Sequence, residues 1–463
     1  MVSVGEYKVT EQVVDLEFKP QDEQKKIKIL TISDHPLSPS GVGSQTKYFI
    51  GEMLKTGKFQ FVSIGGAIKH DNYKPMKLEE FGDDWVIYPM DGYGNADIVR
   101  SMIRTQKPDI LWFMTDPRFF PWLWEMENEI RSLCPMIYYH VWDNYPYPVF
   151  NKVWYDSTDV VVTISKLTSD IVQTVSPGVE EHYLPHAIPT QVFKKHDRSN
   201  VDHFRKEHFG FDKDHFLIFW NNRNARRKQS GSLIFWFNDF LKKLQKKHKG
   251  AKATLLMHTE PKDPNGQDLY AIMNNLGLVD KEVLISTQKV DLPNLATIYN
   301  AADVTIGVSD AEGFGLATFE SMACETPIIA TMTGGLQEQV TFIEEVTEEM
   351  MLKRNSKCKP ITEYEHGIGL EPTSKAIIGS QEVPFIYEDR LSGEQVSDAL
   401  LMMYEYGPEK RAQLGKAGAE HVEKNYNFEN FSKRWEKVLL DTYEKHGSWK
   451  NRKNHKSWEL YAV

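Results

Sequence analysis

The chain has 463 residues, 41% of them hydrophobic and 26% charged, a length beyond one hydrophobic core and the composition of an ordinary globular protein, so two domains are expected. Its net charge of −10 argues against broad electrostatic binding of nucleic acid. No stretch reaches the roughly 20 apolar residues that cross a bilayer, and the charged residues 1–26 lack the apolar core of a signal peptide.

Three cysteines, Cys134, Cys324 and Cys358, are too few for a disulfide framework and are not spaced with histidines as zinc ligands; they suit a reducing cytoplasm. Basic runs occur at residues 223–228, 242–249 and 450–456. The last two read as a solvated helix face and a frayed terminus.

After the extension over residues 1–26, residues 27–33 (IKILTIS) read as a buried strand, followed by a Ser/Gly/Pro turn and a helix over 45–54. Residues 59–64, 85–89, 109–115, 136–141 and 160–165 repeat the strand signal, with helical stretches between most of them. Short apolar strands separated by crossover helices imply a parallel sheet covered on both faces. Residues 185–200, with two prolines and several charges, read as a linker. A second βα series follows at 215–220, 253–257, 283–286, 304–308 and 327–331. The fold class is therefore α/β, with two Rossmann-like doubly wound domains, residues 27–192 and 193–427. Residues 341–389 show weak periodicity and read as an elaborated loop. Helices resume at 394–405 and 409–424, and a last one over 428–446 carries an apolar stripe through Phe431, Trp435, Val438 and Leu439.

The chemistry concentrates in residues 310–340. A strand over 303–309 ends in Asp310-Ala311-Glu312-Gly313-Phe314-Gly315-Leu316, and helix-forming residues run from Ala317 to Cys324. A glycine-bearing turn between strand end and helix start presents free backbone amides and the helix dipole to an anion or a hydroxyl-rich ligand. Gly313 and Gly315 remove side chains that would block the backbone. Glu312 and Glu320, placed on one crevice, are suited to accept hydrogen bonds from hydroxyls. Each alone reads equally well as a solvated surface residue. The combination, with Glu320 leading into ESMACETPIIA and then Gly334-Gly335-Leu336-Gln337-Glu338, resembles the sugar-nucleotide site of the retaining GT-B glycosyltransferases of family 4, with their E-x7-E hallmark.

The resemblance implies that Glu312 binds the donor sugar, Glu320 the ribose, and the amides of Phe314, Gly315 and Leu316 the sugar or diphosphate. Glu325 stands where the family has glycine. After the first strand of the second half, Arg223 and Lys228 match the family's Arg and Lys five residues apart, a pair able to clamp a diphosphate; Arg226 and Arg227 are additional cations. In the first half, Gly41 and Gly43 resemble the family's glycine-rich loop near the donor phosphates, and a plain tight turn explains them nearly as well. His140 and Asp143 resemble the family's His-Asp pair near the reacting sugar, here split by Val141-Trp142; a structural histidine is an equal reading.

The implied function is glycosyl transfer with retention to a carbohydrate or small-molecule hydroxyl. Arg223, Lys228, Glu312 and His140 are the candidate catalytic residues. The leaving diphosphate is stabilised by cations, and front-face attack follows from the resemblance. The donor is a nucleoside-diphosphate sugar, a UDP-sugar ahead of a GDP-sugar, with no further cofactor and no metal. The last helix, with the tail over residues 428–463, is expected to cross back onto the first domain. The alternative reading is a nucleic-acid-modifying glycosyltransferase acting on a hydroxylated base, suggested by the basic runs and the aromatics of residues 112–124, and disfavoured by the net charge.

Overall fold

The computed structural model describes residues 25–278, 280–353 and 359–455; residues 1–24 of the extension, Cys358 and Lys456 lie outside them. Two parallel sheets organise the chain. The first contains β1 (Ile27–Asp34), β2 (Phe59–Gly66), β3 (Met76–Lys77), β4 (Trp85–Pro89), β5 (Ile110–Met114), β6 (Met136–His140), β7 (Val160–Thr163) and β8 (Glu180–Tyr183), in the order β3-β4-β2-β1-β5-β6-β7-β8. Its pairs are parallel except the short edge pair β3–β4. The central strands β1 and β5 are buried almost throughout, which is why they read as continuous apolar runs rather than alternating ones.

The second sheet contains β9 (Phe216–Asn221), β10 (Ala253–His258), β11 (Val283–Ser286), β12 (Val304–Gly307), β13 (Ile328–Thr331), β14 (Ile361–Tyr364) and β15 (Gly367–Leu370), in the order β11-β10-β9-β12-β13-β15-β14. In each sheet the strand order reverses beside its first strand, between β1 and β5 and between β9 and β12. The crevice beyond the carboxyl ends of strands at such a reversal is where open α/β sheets take ligands. The two reversals face each other across one cleft, the GT-B arrangement of two Rossmann-like halves.

Residues 341–389 are not an extended loop. A short helix, Glu348–Lys353, precedes β14 and β15, which extend the second sheet, and a separate antiparallel hairpin joins β16 (Ser374–Ile378) to β17 (Ile386–Arg390). The strand β15 (GIGL) escaped recognition because its glycines carry no β signal, yet they are what admits it: a Cβ on Gly367 would collide with the Ile328 carbonyl of β13. The segment read as a linker is irregular up to Asp197 and then turns into a helix, Arg198–Phe204.

The last helix, Phe428–His446, returns to the first half. Trp435 is fully buried and packs on Phe49 (ring centroids 4.6 Å), which stacks on Trp112 (4.7 Å). Trp112, Phe113, Phe120 and Trp124 are buried, so most of the aromatic stretch over 112–124 is core, while Phe119 is exposed. Beyond the helix, Ser448 Oγ donates to Asp109 (2.6 Å) and Arg452 pairs with Asp159 (3.0 Å). The basic run at 242–249 is a solvated helix face, with Lys242, Lys243 and Lys247 paired to Asp239, Asp398 and Glu405.

Candidate functional site

The site is assembled from the two strand-order reversals. Beyond β12 the chain turns through Glu312 and Gly313, and a helix, Leu316–Ala323, begins after Gly315, whose φ of 90° needs glycine. No side chain caps that helix, so its first-turn amides remain available to a ligand. Leu316, the first helical residue, lies against the first half: a Cβ on Gly41 would meet its Cδ1 at 3.1 Å. A Cβ on Gly313 would meet the Val141 carbonyl at 2.9 Å. The loop after β12 and the first half thus approach closely at Gly41 and Gly313. Gly43 has a more local task, since a Cβ there would strike Ser38 and the His35 carbonyl of its own loop. The Phe314 ring is buried against His186 and Phe319, while its carbonyl accepts from Gln339.

Glu312 gathers donors. Its carboxylate accepts from Ser309 Oγ (3.2 Å), lies 3.5 Å from Arg227 Nη1, and is in direct contact with Lys228 Nζ. Lys228 is only 8% exposed. Burial and the neighbouring Arg227 press its pKa well down, against the pull of Asp143. A lysine in that state gains from any anion that restores its charge. Glu320 sits one turn into the helix and accepts from Tyr299 Oη (2.8 Å), which in turn accepts from Asn221 Nδ2 at the end of β9 (2.9 Å). Burial pushes the Glu320 carboxyl up to about 7.

Two candidate residues are placed differently from the resemblance. Arg223 is 64% exposed and forms a two-pronged pair with Asp263 (2.6 and 3.1 Å), so its side chain is not with Lys228. Arg227 takes that place, donating to the Ala311 carbonyl (2.6 Å) beside Glu312. Spacing aligns backbone positions, and cannot reveal that an acidic neighbour forty residues on captures the guanidinium. His140, the last residue of β6, is fully buried; its Nε2 pairs with Tyr155 Oη (2.7 Å), and burial holds its pKa down to about 3. Its imidazole is therefore neutral, and its Nδ1 is buried without a partner among the described residues. Asp143, three residues on, reaches the cleft: its Cβ lies 3.5 Å from where a Cβ on Gly334 would stand, and its carboxyl responds to Arg227 and Lys228 while burial raises its pKa.

The β16–β17 hairpin straps the halves together beside this cluster. Tyr387 N donates to the Tyr145 carbonyl (2.7 Å), and Asn144 Nδ2 to the Tyr387 carbonyl (3.1 Å), both in the first half. On the other side, Asp389 N donates to the Asp310 carbonyl (3.0 Å), and Arg226 makes a two-pronged pair with Glu388. Arg226 is thereby structural. Among the described residues no group of three or more His, Cys, Asp or Glu side chains could hold a metal ion, and no helix is long and apolar enough to cross a membrane.

Residues 229–356 match the family described as Glycosyl transferases group 1. That span begins one residue after Lys228 and includes Glu312, Glu320 and Glu338. D-inositol 3-phosphate glycosyltransferase from Acidothermus cellulolyticus is 28% identical over 181 residues, 37% of this chain and 35% of that protein. D-inositol 3-phosphate glycosyltransferase 2 from Catenulispora acidiphila is 39% identical over 72 residues, so the chain spans 16% of its length. Among solved structures, sucrose-phosphate synthase from Thermosynechococcus elongatus superposes with a TM-score of 0.65 at 17% identity, over 90% of this chain and all of that one. Anabaena HepE in complex with UDP-glucose gives 0.62 at 14% identity, over 90% and 100%. The family match is confined to that segment of the second half, and the superpositions show the shared GT-B fold.

Proposed function

We propose that this chain is a glycosyl-transferring enzyme that moves a sugar, with retention, from a nucleoside-diphosphate sugar to a hydroxyl acceptor. The observation that carries this reading is the convergence of Lys228, Arg227 and Glu312 on the uncapped start of the helix Leu316–Ala323. In glycosyl transfer the sugar carbon becomes cation-like as the diphosphate departs. The protein's principal task is to stabilise charge on that leaving group where water is scarce. Lys228 and Arg227 supply the positive charge and the helix amides supply donors. Glu312 accepts from the sugar's hydroxyls, and Glu320, held by Tyr299, accepts from the ribose.

Retention by front-face attack requires no carboxylate nucleophile; the departing phosphate takes the acceptor's proton. A UDP-sugar is favoured because solved relatives of this fold hold UDP and UDP-glucose. A reducing compartment such as the cytoplasm suits the buried free thiols of Cys134 and Cys324.

The test is release of nucleoside diphosphate from UDP-glucose and GDP-mannose in the presence of a carbohydrate mixture, with the product's anomeric configuration read by NMR. Release above a protein-free control with the donor's anomer is expected. No release from either donor sinks the activity, and an inverted anomer sinks retention.

A further inference from the structure

The strand β17 is shared between the two halves, one face to each. Side chains alternate across a strand, and here Tyr387 and Asp389 turn to the first half while Glu388 and Arg390 turn to the second. Tyr145 Oη donates to Asp389 (2.5 Å). The Tyr145 and Tyr387 rings lie 5.5 Å apart, with the Lys375 ammonium 5.0 Å from the centroid of each. On the other face Arg226 grips Glu388 with both prongs (2.7 and 2.5 Å), and Arg390 pairs with Glu388 (2.8 Å) and with Asp310. Glu388 is 2% exposed and Asp310 3%. Two buried carboxylates are thus matched by two guanidiniums, and losing either kind of partner would leave buried charge unbalanced.

Arg226 also begins the turn that carries the two cations of the proposed donor site. Arg226, Arg227 and Lys228 occupy one tight turn, closed by Gln229 at a left-handed φ of 56°. The loop after β12 holds the same turn. Gln229 Nε2 donates to both Asp310 oxygens (2.8 Å each), and Asp310 N donates to the Arg227 carbonyl (2.8 Å). Consecutive residues of a single turn have little freedom to move apart, so anchoring Arg226 fixes the backbone from which Lys228 and Arg227 reach Glu312. On the opposite side, Asn144 and Tyr145 directly follow Asp143, whose carboxyl lies within electrostatic reach of the same Arg227 and Lys228.

We propose that Glu388 is a positioning residue: through Arg226 it sets Lys228 and Arg227 for the diphosphate, and Tyr145, through Asp389, ties that setting to the first half. One strand then carries both contacts, and letting go at Tyr145 loosens the turn that holds the cations. Cations fixed in advance stabilise a leaving group better than mobile ones, because nothing has to reorganise as its charge develops. The inference rests on the donor reading above and adds what controls that site.

The experiment is calorimetric titration of UDP into the full-length wild type, Glu388→Gln, Tyr145→Phe, Lys228→Met and the variant combining Glu388→Gln with Lys228→Met, with a melting temperature for each. Glu388→Gln is expected to weaken UDP about tenfold in the wild-type background. In the Lys228→Met background its effect is expected to shrink below about threefold, since losses that act through one group do not add. Tyr145→Phe, which removes one hydroxyl of the first half, is expected to weaken UDP about threefold. A hairpin that only holds the fold together would lower the melting temperatures and leave UDP affinity unchanged. That result, or equal losses in both backgrounds, overturns the inference alone. So does tighter UDP binding by Glu388→Gln, which would make Glu388 a mask over Arg226. Should Glu388→Gln not fold, unchanged UDP affinity in Tyr145→Phe overturns it. A wild type that binds no UDP sinks the donor reading itself, and the inference with it.

Discussion

Replacing Lys228 with methionine removes the least exposed cation of the cluster and keeps its volume. Losing one preorganised charge-stabilising group costs on the order of 10²–10³ in kcat, about 2.7–4 kcal/mol. Arg227 remains on the same loop, but its side chain is 43% exposed and better screened, so the expected loss lies near the lower figure, about 100-fold. The stability cost is smaller. Stripping one partner from a buried ion pair costs about 3–5 kcal/mol when the other is left alone, yet Glu312 keeps Ser309 and Arg227, which reduces the cost to about 1–2 kcal/mol. The assay is the initial rate of UDP release at saturating donor, with KM from the same curves and a melting temperature for each protein. A folded Lys228→Met variant whose kcat stays within about threefold of wild type would refute the assignment of charge stabilisation to this residue.

Three further outcomes follow from the geometry. Arg227→Ala is expected to weaken UDP binding about tenfold and Arg223→Ala by less than about threefold; the reverse order by calorimetry would restore Arg223 to the site. Glu338, 4% exposed, accepts the Lys166 amide of the first half (2.7 Å), and burial pushes its carboxyl from 4.5 up to about 7. Because the folded pKa is the higher one, its contribution is fully present below pH 4.5 and is lost as pH rises through about 7. Glu338→Gln should therefore flatten the fall in stability between pH 5 and 8 by at most about 3 kcal/mol, and identical denaturation midpoints and pH slopes in the two proteins would contradict this. Glu325 adopts a left-handed φ of 56°, so Glu325→Gly should stabilise by about 1 kcal/mol after allowing for glycine's unfolded-state entropy; a lowered melting temperature would show that its 4.0 Å contact with Lys195 outweighs the backbone strain.

The alternating βα pattern was legible because the central strands are buried on both faces and so carry unbroken apolar runs, as in β1 and β5. The loop proposed to take the donor was legible because a close backbone approach demands glycine, and Gly313 and Gly315 stand where a Cβ would collide with Val141 or Leu336. Other parts depend on pairings distant in sequence. The hairpin over 374–390 is held by Tyr145 and Arg226, residues it could be matched to only in three dimensions. The swap of Arg227 for Arg223 turns on Asp263. The split between His140 and Asp143 follows from alternation along β6: its last residue points into the core, and the residues after the strand ends supply the cleft. The glutamate at 325 was readable as a departure from glycine, and its positive φ shows what that departure costs.

The central claim, a nucleoside-diphosphate donor site built on Lys228, Glu312 and Glu320, is tested most directly by calorimetric titration of UDP into the wild-type protein and into Glu320→Ala. The account predicts saturable binding at one site per chain, weakened about tenfold or more when the Glu320 carboxylate is lost. Heats indistinguishable from dilution for both UDP and GDP, or equal affinity in the two proteins, would contradict it.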